Sequence, residues 1–136
     1  MGSPQPRRER ERIYGRRAVA EAERGRRRVW RTWTREEVGE AELERLCGSP
    51  DHQGIVAEVD PYPYSEPDSL LEPEQALVLA LDQVQDPRNL GAICRAAEVA
   101  GAAGVLIPRH RSVGVTATVC KAAAGAVEHL AVARVR

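Results

Sequence analysis

The stretch ALVLALDQVQDPRNLGAICRAAEVA, Ala76 to Ala100, decides the fold class. Its opening apolar run, Leu77 to Leu81, has the length of a buried strand. Asp82 ends the run. A polar loop follows from Gln83 to Arg88, with Pro87 as a breaker inside it. Asn89 stands where a helix N-cap belongs, since its side chain can accept a bond from an early helical N–H. Beyond it Ile93, Ala96, Ala97 and Ala100 recur at helical spacing. The order strand, loop, helix gathers polar groups at the C-terminal end of the strand, where open α/β sheets place their ligand crevices. Arg95 lies six positions after Asn89, so the two do not share a helix face by spacing. An Arg within an Ala-rich helix reads either as an ion-pair partner or as a phosphate clamp.

Downstream, Gly101 to Gly104 turns the chain into a second buried strand, Val105 to Ile107. Arg109, His110, Arg111 and Ser112 form another loop at a strand's C-terminal end. Right-handed crossovers put it on the same rim as Asn89. Arg109 and Arg111 read as phosphate clamps or as solvated loop charges. The helix expected from Thr116 to Gly125 is small and apolar except for Lys121, a surface suited to tight packing or a subunit interface. A third strand begins at Leu130.

Upstream, residues 60–75 hold four of the nine prolines and five acids. They read as an extended, semi-rigid linker at a domain boundary. Before it, Ile55 to Val59 is a strand led by His52, Gln53 and Gly54. Thr34 and Glu37 fit a capping box for a helix running to Leu46 or Cys47, with Gly48 as its C-terminal glycine. Val29 to Trp33 alternates as a strand whose two Trp residues are expected on one face. There they either stack unpaired bases or cover a small core. A short helix is expected after Tyr14 and Gly15, from Arg16 to Glu23. Residues 1–12 read as a disordered basic arm.

The 136 residues carry no net charge, but the charge is unevenly spread. Residues 1–35 hold twelve Arg against four Glu, and residues 36–75 one Arg against twelve acids. The basic first third suits a polyanion such as RNA, or balances an acidic helix. Three cysteines at wide spacing indicate neither a metal site nor a disulfide framework. No apolar run has the length of a membrane span, and the Arg-rich start is not a secretory signal. The expectation is a cytoplasmic protein with no membrane or metal partner.

Asp86-Pro87-x-Asn89-x-Gly91, with Arg95 and Ala97 following, closely resembles motif 1 of the SpoU (TrmH) family of RNA 2′-O-ribose methyltransferases. Ser112, Ala117-Thr118, Lys121 and Gly125-Ala126-x-Glu128 are similar to a later stretch of that family. Tyr14-Gly15-Arg16 and His52-Gln53-Gly54-Ile55 resemble its amino-terminal part, in the family's order. The resemblance implies an α/β fold: a small α/β substrate-binding domain over residues 13–60, then an incomplete parallel-sheet domain of SPOUT type over residues 76–136. It implies methyl transfer from S-adenosylmethionine to a ribose 2′-hydroxyl, on ribosomal RNA ahead of transfer RNA and on a guanosine. It implies a homodimer in the complete enzyme. Asn89 would orient the site and Arg95 would be the catalytic cation. Arg16, His52, Gln53, Arg109, Arg111 and Lys121 would contact RNA.

This chain also departs from the family. Only eighteen residues separate Trp33 from His52, so one helix–strand unit of the first domain is expected to be missing. The family's cofactor-holding motifs and carboxy-terminal knot do not occur before Arg136. The expectation is a chain that binds no S-adenosylmethionine and is inactive alone. A noncatalytic RNA-binding module is the alternative. A nucleotide-binding protein is disfavoured, since neither G-x-G-x-x-G nor a P-loop is present.

Overall fold

The computed structural model describes residues 9–136. Its first sheet is antiparallel, in the order β1 (Glu11–Tyr14), β3 (Ile55–Val59), β2 (Val29–Thr34). The second is parallel, in the order β4 (Val78–Ala80), β5 (Gly104–Pro108), β6 (Ala131–Val135). This confirms the expected α/β pairing of a small first unit with a half-size parallel sheet. The first sheet has three strands.

Helix α1 (Arg16–Arg24) follows β1 and buries Ala18, Val19 and Ala22. The helix expected from Thr34 is broken in two, α2 (Arg35–Val38) and α3 (Glu40–Cys47). Gly39 makes the break with φ 81, a conformation glycine adopts without steric cost. Thr34 is the N-cap residue, but its hydroxyl bonds the Glu37 carboxylate and caps no backbone N–H. Leu43 and Leu46 point inward as expected, and Gly48 ends the helix in the left-handed region.

Helix α4 (Pro87–Val99) starts earlier than the sequence suggested. Asp86 is its N-cap, with Oδ1 accepting the Arg88 N–H at 2.8 Å, and Pro87 is its first residue. Pro87 is therefore a helix starter and not a breaker, because a first-turn N–H has no intrahelical partner to lose. Asn89 lies inside the first turn. The strand before it, β4, is short and only half-buried, and Leu77, expected within it, precedes it and is 51% exposed. Strand β4 forms an edge of the sheet and not its centre. Helix α5 (Ala117–Ala122) is capped by the Thr116 hydroxyl, which accepts from Val119 N–H. Sequential strand order with right-handed crossovers puts α4 and α5 on one face. They pack so closely that a Cβ on Gly91 would lie 2.4 Å from that of Ala122.

Three further expectations are corrected. Strand β1 begins at Glu11, inside the segment read as an arm; residues 1–8 of that arm lie outside the described residues. Trp33 is buried while Trp30 is 39% exposed. A bulge between Val29 and Arg31 leaves Trp30 outside the regular pairing of β2 with β3, so the alternation of a plain strand does not carry through it. The segment 61–75 is anchored at Tyr62, Ser65 and Leu70 instead of spanning open solvent throughout, while Leu71 to Gln75 are exposed. The Tyr62 hydroxyl donates to the Val127 and Leu130 carbonyls, Ser65 bridges to Ala133, and Leu70 of the 3-10 turn Pro67–Leu71 covers Gly104.

One core accordingly runs through both units. Ile13, Val19, Ala57 and Val59 of the first join Leu90, Val105, Val119 and Val132 of the second. Arg27 crosses the same junction as a buried cation. Its Nε donates to both Glu128 oxygens at 3.0 and 3.1 Å, and its Nη1 to Glu11 and to the Asp60 carbonyl. Burial opposes the charge, but the Glu128 bond and the surrounding negative groups outweigh it and raise the Arg27 pKa.

Candidate functional site

Three of the residues singled out from the sequence converge although they are far apart in the chain. Arg16, Gln53 and Lys121 line one depression of about 260 Å³ with Gly15, Arg17 and Ala124. The depression lies where β1 turns into α1, against the end of α5. Gln53 fastens the helix start: its Oε1 accepts the Arg16 N–H at 2.9 Å, and its carbonyl accepts from Arg16 Nε at 3.4 Å. Gly15 stands at φ 101, and a Cβ there would meet Lys121 Cγ at 3.2 Å and Gln53 Oε1 at 3.3 Å. Gln53 and Ala124 also adopt positive φ, 55 and 51. Backbone held in this sparse region gathers where surroundings over-determine a site.

The electrostatics of this depression favour an anion. The first turn of α1 contains no acid and two arginines, Arg16 and Arg17. Cations at a helix N-terminus oppose the macrodipole. An anion placed among them satisfies both the dipole and the side chains. Lys121 adds a third cation from the other unit. Arg17 is the residue missed in the sequence; its adjacency to Arg16 at a helix start was the available signal.

His52 does not belong to this surface. It is 2% exposed. Its Nδ1 accepts the Gly54 N–H at 2.9 Å, and its Nε2 faces Glu40 Oε2 at 3.1 Å. These partners assign the proton to Nε2. Glu40 also bonds Arg35, whose N–H donates to the Gly54 carbonyl. His52 therefore fixes the turn that presents Gln53. A contact between the His52 ring and RNA is incompatible with this packing.

Asn89, Arg109 and Arg111 lie exposed at the C-terminal rim of the parallel sheet. The two loops there are tied together, since Ser112 Oγ and Val113 N–H both donate to the Val84 carbonyl at 3.1 Å. Arg95 is exposed on α4, eight residues after its start. That is about 12 Å along the axis from the rim. It borders a shallow hollow walled by Ala92, Ala96, Val99, Ala100 and Ala122. Among the described residues no hydrogen bond or ion pair engages the Arg95, Arg109 or Arg111 side chains. Asn89 thus sits at the rim, and Arg95 lies about two turns down the helix from it.

The hollow beside Arg95 has one polar side chain, Arg95 itself. A nucleoside cofactor needs polar groups converging on an apolar wall. The hollow beside Arg95 does not offer such a convergence. Among them, no group of three or more His, Cys, Asp or Glu is arranged to hold a metal ion, and no helix is long and apolar enough to cross a membrane.

Comparison with known proteins agrees with this architecture. Residues 76–136 match the model of the SpoU rRNA methylase family, and residues 34–65 match that of RNA 2′-O ribose methyltransferase substrate binding. An uncharacterized tRNA/rRNA methyltransferase of Mycobacterium avium is 49% identical over 102 residues, covering 72% of this chain and 33% of the relative. A Bacillus subtilis protein assigned to the TrmH family of tRNA/rRNA methyltransferases is 38% identical, covering 90% of this chain and 60% of the relative. The AdoMet-bound rRNA methyltransferase of Sinorhizobium meliloti superposes with a TM-score of 0.75 at 22% identity, over 92% of this chain and 54% of that one. The SpoU methyltransferase AviRb of Streptomyces viridochromogenes, in complex with AdoMet, superposes with a TM-score of 0.71 at 21% identity. The chain thus spans from a third to about 60% of these relatives. The two model matches together cover more than half of its residues, and on them the chain belongs to the SpoU rRNA methylase family.

Proposed function

We propose that this chain is the RNA-holding and first catalytic part of an S-adenosylmethionine-dependent methyltransferase acting on a ribose 2′-hydroxyl, in ribosomal RNA ahead of transfer RNA. The observation that carries the reading is the convergence of Arg16, Arg17 and Lys121 around Gln53. It supplies a phosphate-sized cationic seat at the junction of the two units. Phosphate contacts fix the register of a bound strand. Asn89, Arg109 and Arg111 extend the positive rim toward the strand tips. Arg95 acts as a fixed cation. A guanidinium offers no hydrogen-bond acceptor, so it serves by stabilising a developing alkoxide and not by taking the proton. The exposed apolar face of α4, with Val99 79% exposed, supports a homodimer in the complete enzyme.

Fluorescence anisotropy of the 136-residue chain with labelled RNA tests the reading. The variant Arg16→Ala/Lys121→Ala should weaken binding and lower the salt slope by about 0.7 for each lost phosphate contact on a single strand. Unchanged affinity and slope would reject the seat. In a full-length enzyme carrying this segment, Arg95→Ala should abolish methyl transfer while cofactor binding survives. Calorimetry of the 136-residue chain with S-adenosylmethionine should show no binding, and micromolar affinity would overturn that part of the proposal.

A further inference from the structure

The antiparallel sheet is covered unevenly. One face sends Ile13, Ala57 and Val59 into the shared core. The other packs the row Tyr14, Val56 and Trp33 under Leu43 and Leu46 of α3. Helix α3 has eight residues, about 12 Å, and its cover ends there. The next row on that face is Arg12, Glu58 and Arg31, because residues two apart on a strand share a face. Beyond it lies Trp30, at the bulge of the edge strand β2.

Guanidinia dress this uncovered surface. Arg10 lies 3.8 Å and Arg28 3.6 Å from the Trp30 ring centroid. Two planar groups that close to one centroid cannot share a side, so Trp30 is sandwiched between them. Its Nε1 donates to Asp60 Oδ1 at 2.8 Å, which fixes the ring. Arg31 lies 4.7 Å from the Trp33 centroid. The acids on the patch are Glu58 and Asp60, against four arginines. Charges on an edge strand commonly serve to block sheet-to-sheet pairing. That accounts for the cations but not for an exposed indole held rigid between two of them.

A guanidinium plane stacks on an unpaired base, and its charge draws the phosphate beside it. We propose that the Arg10–Trp30–Arg28 stack, with Arg31, is a second RNA-contact surface that takes unpaired nucleotides, their bases lying on the outer guanidinium planes. The inference rests on the RNA reading above and deepens it. None of the four residues falls within residues 34–65, the segment that matches the substrate-binding model.

The test uses the 136-residue chain and three labelled probes: a twelve-nucleotide oligouridylate, a duplex of the same length, and a polyglutamate peptide. The unpaired strand should bind about tenfold tighter than the duplex and far tighter than the peptide. Arg28→Ala/Arg31→Ala should weaken that binding roughly tenfold, the scale of one lost stacking contact, with an unchanged melting temperature. Arg28→Lys/Arg31→Lys keeps the charge and removes the planes. It should retain the salt slope and lose the preference for the unpaired strand. Wild-type affinity in the Ala variant would overturn the proposal. So would equal binding of duplex or peptide, or an unpaired preference surviving in the Lys variant. Arg16→Ala/Lys121→Ala in the same assay separates the two readings. Loss there, with Arg28 and Arg31 dispensable, sinks the second surface alone. A parent chain that binds no RNA sinks both.

Discussion

Arg27 Nη2 lies 2.6 Å from Glu128 Oε1, with both side chains 1% exposed, and this pair joins the two units of the chain. Neither partner has water to fall back on. Removing Arg27 leaves Glu128 as an uncompensated buried charge, which costs about 3–5 kcal/mol, and removing Glu128 leaves the buried Arg27 with Glu11 as its remaining carboxylate. Urea denaturation should therefore show Arg27→Ala and Glu128→Ala strongly destabilised. The double variant Arg27→Met/Glu128→Leu should recover most of the loss, because it leaves no orphaned charge. A double variant as unstable as the singles would show that the pair's value lies elsewhere.

Gly91 should not tolerate a methyl group. An added Cβ would sit 2.4 Å from Ala122 Cβ and 2.9 Å from Ala123 N. Gly91→Ala then forces α4 and α5 apart, an overpacking cost of about 1–3 kcal/mol. The change Ala122→Gly removes only one of the two contacts, so Gly91→Ala/Ala122→Gly should be rescued in part. Thermal melts of the three variants measure this, and full rescue would show that the backbone contact is soft.

Acid should loosen the junction through Glu21. His129 Nε2 lies 2.6 Å from Glu21 Oε2, and that hydrogen bond holds the Glu21 pKa below its ordinary 4.5. A carboxylate depressed in the folded state adds stability above its unfolded pKa and loses it as pH falls through the folded one. Parent and Glu21→Gln should differ in stability above pH 4.5 and converge below it. A difference that stayed constant down to the acid transition would exclude this linkage.

Thiol reactivity should separate the three cysteines. Burial pushes the Cys94 pKa up to about 11, and burial is also the main cause that raises Cys120 to about 12. Thiolate is the reactive form, so both should be inert to a disulfide reagent in the folded chain. Cys47 is partly exposed and should react alone, with all three reacting in denaturant. Fast labelling of two or more thiols in the native chain would contradict this packing.

Local signals carried much of the fold. Ile55 to Val59 read as a strand because three of its five residues are β-branched, and it is one. Gly48 read as a helix end because only glycine enters the left-handed region freely, and it does so here. The start of α4 was misplaced because Asp86 and Asn89 are both capping residue types, and Pro87 serves equally as starter or breaker until the hydrogen bonds are known. The tight pairing of Gly91 with α5 was not legible, since a small residue in a helix does not name its neighbour.

By itself the sequence determined most of the order of strands and helices, though not β1 or the break between α2 and α3, together with the unequal spread of charge and the resemblance to the SpoU family, because these depend on residue types and short spacings. Tertiary structure alone decided which charges face water. Arg26, Arg27 and Arg28 are consecutive and chemically identical, yet Arg27 is buried against Glu128 while Arg28 lies on Trp30. It also brought Arg16, Gln53 and Lys121 to one depression and sealed His52 beneath it. Contacts between residues a hundred positions apart arise from burying one shared core, and no local pattern records which side chains that burial will bring together.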